Sequence, residues 1–363
     1  MNKWIDRALI YHILVDRFTG DTHLKNENAF LGGTINGITA KLDYIQGLGY
    51  NTIWLSPICA TKNYHGYHIT DFKQVDKHFG SIDDVKNLID NVHHRGMHII
   101  TDFVPNHCAD THPFFLSAKN NPHSRYRNWF YFHADGSYKC FLNYGELPKI
   151  NLDYQEARDY MTEVAGYWCE LGFDGLRIDH AIGPSFSFWR HFMKEMKGRF
   201  PRKVFFGEAW CMGLSSTLFD TVHLKNKGRK KYHGIRQERL QKDYIGELDG
   251  VLDFQYRDIL LKHIAKGEHI IGNKQLKNEV CRHFSQYPKG FKLFLFLDNH
   301  DTNRILFECK GNKDLVEEAI TFSKQWGKPF ILYYGTEAGM THKESIFSGK
   351  PYADLAVREC MQF

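Results

Sequence analysis

The chain has 363 residues, of which 42% are hydrophobic and 15% aromatic, and a net charge of +5 from 47 basic and 42 acidic side chains. That is enough apolar material for a large core, held in one α/β barrel or in two smaller domains. The charges are spread along the chain and the densest basic run, Lys225 to Lys231, is short, which argues against a nucleic-acid partner. The cysteines (Cys59, Cys108, Cys140, Cys169, Cys211, Cys281, Cys309, Cys360) are scattered, with no CxxC pair and no zinc-like spacing. They predict reduced thiols in a cytoplasmic protein. The N-terminal Met1-Asn2-Lys3-Trp4-Ile5-Asp6-Arg7 lacks the apolar stretch of a signal peptide, and no apolar run reaches the ~18 residues of a membrane span. No membrane partner is expected.

Short apolar runs alternate with helix-period stretches almost from end to end. In chain order they predict strands at Leu9–Val15, Thr52–Leu55, His98–Val104, Gly175–Asp179, Val204–Gly207, Val251–Phe254, Leu293–Leu297 and Phe330–Tyr334. Helices are predicted between them at Ile38–Leu48, Ser81–Arg95, Tyr154–Leu171, Phe186–Met196 and Leu315–Trp326. In the clearest, Ile82, Val85, Leu88, Ile89 and Val92 form one apolar stripe behind a capping box of Ser81 and Asp84. Eight strands with interleaved helices favour an α/β fold of the closed (β/α)8 TIM-barrel type over an open doubly wound sheet. Residues 107–150 break the rhythm: they are rich in Asn, His, Pro and aromatic side chains and too long for an ordinary βα loop. They predict a small excursion domain after the third strand, with residues 1–106 and 151–363 forming the barrel.

Polar clusters stand at the C-terminal ends of four predicted strands: Asp102 to His107, Gly175 to His180, Gly207 to Trp210, and Leu297 to Asp301. In a parallel barrel all four ends face one mouth, where active sites of this architecture lie. Carboxylates from three strands with an arginine and histidines beside them suit acetal hydrolysis. An oxocarbenium-like transition state needs an ionised carboxylate beneath the anomeric carbon and a protonated acid at the leaving oxygen, ~5–5.5 Å apart where the reaction retains configuration. Arg177 precedes Asp179 by two residues on a strand, so both side chains point the same way and the guanidinium should hold Asp179 ionised, as a nucleophile requires. Glu208 lies between Phe206 and Trp210, an apolar setting that would keep it protonated for a general acid.

The four clusters, in that order and at those strand ends, resemble the DxxxNH, GxRxD, GE and NHD pattern of the α-amylase family, glycoside hydrolase family 13. The likeness extends to Tyr11–Phe18, to Gly32-Gly33-Thr34 with Leu48–Pro57, to His65-Gly66-Tyr67 with Asp71, and to Tyr333-Tyr334-Gly335-Thr336-Glu337. The resemblance implies Asp179 as nucleophile, Glu208 as acid/base, and Asp301 gripping sugar hydroxyls as the ring distorts. His107 and His300 would bind hydroxyls of that sugar, Tyr67 would stack on its face, Arg177 would orient Asp179, and Asp102 would be structural. It implies hydrolysis of α-glucosidic bonds, chiefly α-1,4, by double displacement. Transglycosylation with the same residues, and a non-catalytic interaction protein, are the alternatives.

Two departures refine this. Where many endo-acting relatives carry Lys-His after the nucleophile, this chain has Ile182 and Gly183, so leaving-side contacts would come from His180 or from Trp210 and its neighbours. Leu147-Pro148-Lys149-Ile150-Asn151 is similar to the MPKLN stretch of the neopullulanase and cyclomaltodextrinase branch, which implies short or cyclic α-glucan substrates. The family's structural calcium would fall to Asn106, Asn151 and Gly183. Two amides and a carbonyl supply no charge to a hard cation, so no metal or other cofactor is expected. The short stretch after Tyr334-Gly335 shows no clear amphipathic stripe to match the family's closing helix or β-sandwich tail, so the last cover of the barrel is expected from Ser345–Phe363, from a partner subunit, or from further chain beyond Phe363. An uncovered eighth strand would be an aggregation liability, which favours a homo-oligomer.

Overall fold

The computed structural model describes residues 4–24, 28–210, 222–223, 225 and 236–363; Met1 to Lys3, Cys211 and most of the Lys225 to Lys231 run lie outside the described residues. Eight parallel strands close into a barrel: Leu9–Ile13 (β1), Thr52–Leu55 (β2), His98–Phe103 (β3), Gly175–Ile178 (β4), Val204–Gly207 (β5), Gly250–Leu252 (β6), Lys292–Phe296 (β7) and Phe330–Tyr333 (β8). Each lies beside its neighbour in the chain and β8 pairs with β1, so the expected (β/α)8 fold is the one observed. Nearly every strand residue is buried, because a parallel barrel packs side chains on both faces; this is why the strands read as continuous apolar runs rather than alternating ones.

The chain groups into two compact units, Met1–Ser56 with His78–Ile99 and Leu252–Phe363, and Pro57–Lys77 with Ile100–Val251. In the first, β1 pairs with β2 and β8, with Ile10 opposite Thr52 and Leu9 opposite Phe330. The helix Ile82–His94 begins at the expected reciprocal cap of Ser81 and Asp84 and buries Val85, Leu88, Ile89 and Val92. Helices Phe254–Ala265 and Lys274–Phe284 were not among the predicted ones. The second buries only Leu276, Val280 and His283, too narrow a stripe to stand out from its charged background. The C-terminal segment, with a 3-10 turn at Ala353–Val357, is fastened to the barrel: Tyr333 and Tyr334 donate their hydroxyls to the carbonyls of Val357 (3.2 Å) and Glu359 (2.7 Å), and Arg17 Nε donates to the Arg358 carbonyl (3.0 Å). The premise of an uncovered eighth strand therefore fails, and with it the argument for an oligomer.

In the second unit, β3 pairs with β4 and β4 with β5, and a hairpin of Cys59–Thr61 and Ile69–Val75 packs beside the helix Gln155–Leu171, whose Trp168 donates its indole N–H to the Phe72 carbonyl (3.0 Å). The 107–150 segment carries a helix at Pro113–Asn120 and a small hairpin of Cys140–Phe141 and Tyr144–Pro148. Its two ends are laced together by Cys108 N–H to Pro148 O (3.3 Å) and Ile150 N–H to Asn106 O (2.9 Å). Its small core is aromatic, with Phe115 edge-on to Phe130 and Tyr138 and Phe114 stacked on Tyr126. Among the described residues seven cysteines are free thiols, and no helix is long and apolar enough to cross a membrane.

Candidate active site

Strand register builds the centre of the site. Pairing of β3 with β4 sets Asp102 opposite Arg177, and the period of two brings Asp179 to the same side as Arg177. Arg177 is fully buried, and a buried guanidinium is several kcal/mol unfavourable unless paired. Here it meets three carboxylates: Nη1 lies 2.9 Å from Asp102 Oδ2 and 3.0 Å from Asp179 Oδ1, and Nη2 lies 2.7 Å from Glu208 Oε1. Burial alone would weaken its hold on the proton, but Asp102, Glu208, Tyr67 and Asp179 together reverse this and push its pKa well above the usual value. The cation is permanent. Because Asp179 and Glu208 share one guanidinium, their nearest carboxyl oxygens lie no more than roughly 8 Å apart, a bound that admits both the retaining and the inverting spacing of glycosidases.

Glu208 is thus not in the apolar setting that Phe206 and Trp210 suggested. Its neighbours are Arg177 and the backbone N–H of His180, which donates to Oε2 at 3.1 Å. That N–H is aimed by a left-handed turn: His180 has φ +42°, a conformation uncommon outside glycine and concentrated at functional sites. Tyr67 donates its hydroxyl to Asp102 Oδ2 (2.6 Å), which fixes the phenol beside the carboxylate cluster and leaves the ring half-buried. Trp210 is also half-buried. Phe141, which the sequence reading did not single out, comes from the excursion hairpin and lies 4.9 Å from the His107 ring and 4.6 Å from the His180 ring, centroid to centroid.

The residues offered for calcium do not fit it. The Nζ of buried Lys149, whose pKa burial lowers to about 7, donates to Asn106 Oδ1 (3.1 Å) and to the Gly183 carbonyl (2.6 Å), so a side chain of the protein's own already occupies two of the three candidates. The third, Asn151, turns its amide N–H to the Asn128 carbonyl (3.0 Å). Gly183 is glycine because a Cβ there would stand 2.0 Å from Asn106 Oδ1. Lys149 lay within a stretch quoted for its likeness to a family motif, but nothing in its spacing announced where its side chain would go.

Asp301 and His300 belong to the other unit, after β7. The Asp301 carboxylate accepts from Arg358 Nη2 (2.8 Å) and faces His300 Nε2 (2.9 Å), while Arg358 Nε donates to the His300 carbonyl (2.9 Å). Beneath this pair, Asp298 is buried and raised in pKa by that burial; it accepts from the Ile305 N–H (2.9 Å) and the Thr336 hydroxyl (2.9 Å) and so pins the loop. His12 stacks on Trp54 at 3.6 Å and meets His300 edge-on. Arg358 went unnoticed in the sequence because no local pattern distinguishes it from a surface arginine.

The alpha-amylase catalytic-domain model matches residues 12–141 and 134–362. Alpha-amylase 2 of Dictyoglomus thermophilum is 36% identical over 355 residues, covering 95% of this chain and 57% of that protein. Neopullulanase 2 of Thermoactinomyces vulgaris is 28% identical over 363 residues, covering 93% and 57%. A solved cyclomaltodextrinase superposes with a TM-score of 0.81 at 26% identity, covering 100% of this chain and 60% of that one. The chain therefore spans less than two thirds of the length of these relatives. A family model that runs from the first strand to the C-terminal segment settles the kinship: the chain belongs to the α-amylase family of glycoside hydrolases, in the company of neopullulanases and cyclomaltodextrinases.

Proposed function

We propose that the chain hydrolyses α-glucosidic bonds, chiefly α-1,4, in malto-oligosaccharides or cyclodextrins with retention of configuration. The observation that carries this reading is the gathering of Asp102, Asp179 and Glu208 around the single buried guanidinium of Arg177. Glu208 is assigned as the acid/base and Asp179 as the nucleophile by their match to the family pattern, and the shared contacts with Arg177 hold the two carboxyls around one group.

In this mechanism Asp179 attacks the anomeric carbon as the glycosidic bond breaks, and Glu208 gives its proton to the departing oxygen. Glu208, now ionised, takes a proton from water, which displaces Asp179 and restores both groups. Asp301, steadied by Arg358, and His300 and His107 hold hydroxyls of the reacting sugar, and Tyr67 covers its face. His180 and Trp210 are assigned to the leaving side. No step needs a metal. Dialysis against EDTA should accordingly leave the thermal midpoint unchanged; a fall reversed by calcium would contradict the reading.

The relative named cyclomaltodextrinase supports cyclic α-glucans as substrates. The free thiols support a cytoplasmic setting. Product analysis on maltotriose, cyclodextrin, pullulan, starch, dextran and sucrose tests the proposal: maltotriose and cyclodextrin should be cleaved, and the new reducing ends should appear first as the α-anomer. Early accumulation of products longer than maltotriose would assign the chain to transglycosylation instead. No cleavage of any of the six, with the fold intact, would favour the non-catalytic alternative.

A further inference from the structure

The buried contacts of Lys149 reach beyond the base of the excursion segment. Burial lowers the Lys149 pKa to about 7, but Nζ carries N–H donors in either charge state, and it donates to the Gly183 carbonyl and to the Asn106 side-chain atom 3.1 Å away, which is the carbonyl oxygen. That settles which way the Asn106 amide points: its NH2 faces the other way, where Nδ2 lies 3.3 Å from His107 Nδ1. An amide NH2 can only donate, so Nδ1 must present its lone pair, and a neutral imidazole then carries its proton on Nε2. We propose that Lys149 is a positioning residue that acts through the Asn106 amide to fix the tautomer of His107, so that His107 offers its ligand an N–H donor at Nε2 rather than an acceptor.

The surroundings agree. His107 and Asn106 are each 1% exposed and Lys149 3%, so no solvent competes for these hydrogen bonds. Burial foremost, with His68 and Lys149 adding and the Tyr67 carbonyl opposing, holds the His107 pKa down to about 3, which keeps the ring neutral and its tautomer meaningful. Nε2 is buried and makes no hydrogen bond of proper geometry among the described residues, so a ligand must reach it at the inner wall of the site. Lys149 is anchored on its far side by the Gly183 carbonyl, which also meets His223 Nδ1 at 2.7 Å, so Nζ cannot swing away from Asn106 without giving up a second buried bond. A ring nitrogen oriented through its other nitrogen is the arrangement by which proteins commonly fix histidine donors.

That the ligand at Nε2 is a sugar hydroxyl rests on the function proposed above; the tautomer does not. The test is nitrogen NMR on the whole chain labelled with 15N-histidine, with the His107 signals assigned by their loss in His107→Gln. The wild type should show a protonated Nε2 and an unprotonated Nδ1. Asn106→Asp, which keeps Lys149 but turns the amide donor into an acceptor, should reverse the two. Lys149→Met should lose the single-tautomer signature and lower kcat/KM on maltotriose about 10- to 100-fold, mainly through KM. A wild type protonated at Nδ1, or an Asn106→Asp variant with an unchanged pattern, overturns the inference. The expected NMR pattern with kcat/KM unaltered in Lys149→Met would uphold the tautomer control and reject a sugar-binding role for His107.

Discussion

Glu208→Gln should lower kcat/KM on maltotriose by about 10³-fold, within the range that loss of a general acid produces, with the fold and thermal midpoint retained. Glutamine keeps the shape and the contact with the His180 N–H but has no proton to give the departing oxygen. The loss should shrink sharply on α-maltosyl fluoride, because fluoride departs without protonation. Asp179→Asn should behave differently, losing activity on both substrates, since no good leaving group compensates for an absent nucleophile. Initial rates on the two substrates separate the roles. Equal losses on both in Glu208→Gln would mean that Glu208 is not the acid, and an undiminished rate on maltotriose would remove it from the mechanism.

Arg177→Met should have the largest effect on stability. It leaves Asp102, Asp179 and Glu208 facing one another in a buried site with their common counter-ion gone, and breaking a buried ion pair in this one-sided way costs about 3–5 kcal/mol. The pH dependence should distinguish this from a packing defect. Without the guanidinium, the three clustered carboxylates repel one another in the folded state. Protonation at low pH relieves that repulsion, and the relief is lost as pH rises. Urea melts between pH 5 and pH 8 should therefore show the variant closing part of its gap to the wild type as pH falls. A constant gap would count against the charge explanation. Arg177→Lys should recover little, because one ammonium cannot reproduce a planar fork shared by three carboxylates.

The contrast between Arg177 and Glu208 shows how far one-dimensional reading carries. Arg177 lies on β4 and Asp179 just past its end, so their shared direction follows from extending the strand's period of two, and the folded chain brings them to 3.0 Å. Glu208 was misjudged from Phe206 and Trp210 because its electrostatic environment comes from Arg177 on the adjacent strand, and chain neighbours carry no record of strand register.

The same division runs through the molecule. Local periodicity determined the eight strands, the helices Ile82–His94, Gln155–Leu171, Phe186–Arg199 and Lys313–Lys324, the Ser81–Asp84 cap and the strand-end positions of the polar clusters, because side-chain direction within one element repeats with the backbone's own period. Only the folded chain decided that Lys149 would sit on Asn106 and Gly183, that Arg358 would hold Asp301, and that the C-terminal segment would cover the eighth strand. These partners lie tens of residues apart, and the long, flexible side chains of lysine and arginine read as surface charge until packing takes water away and leaves a particular carbonyl or carboxylate as the remaining partner.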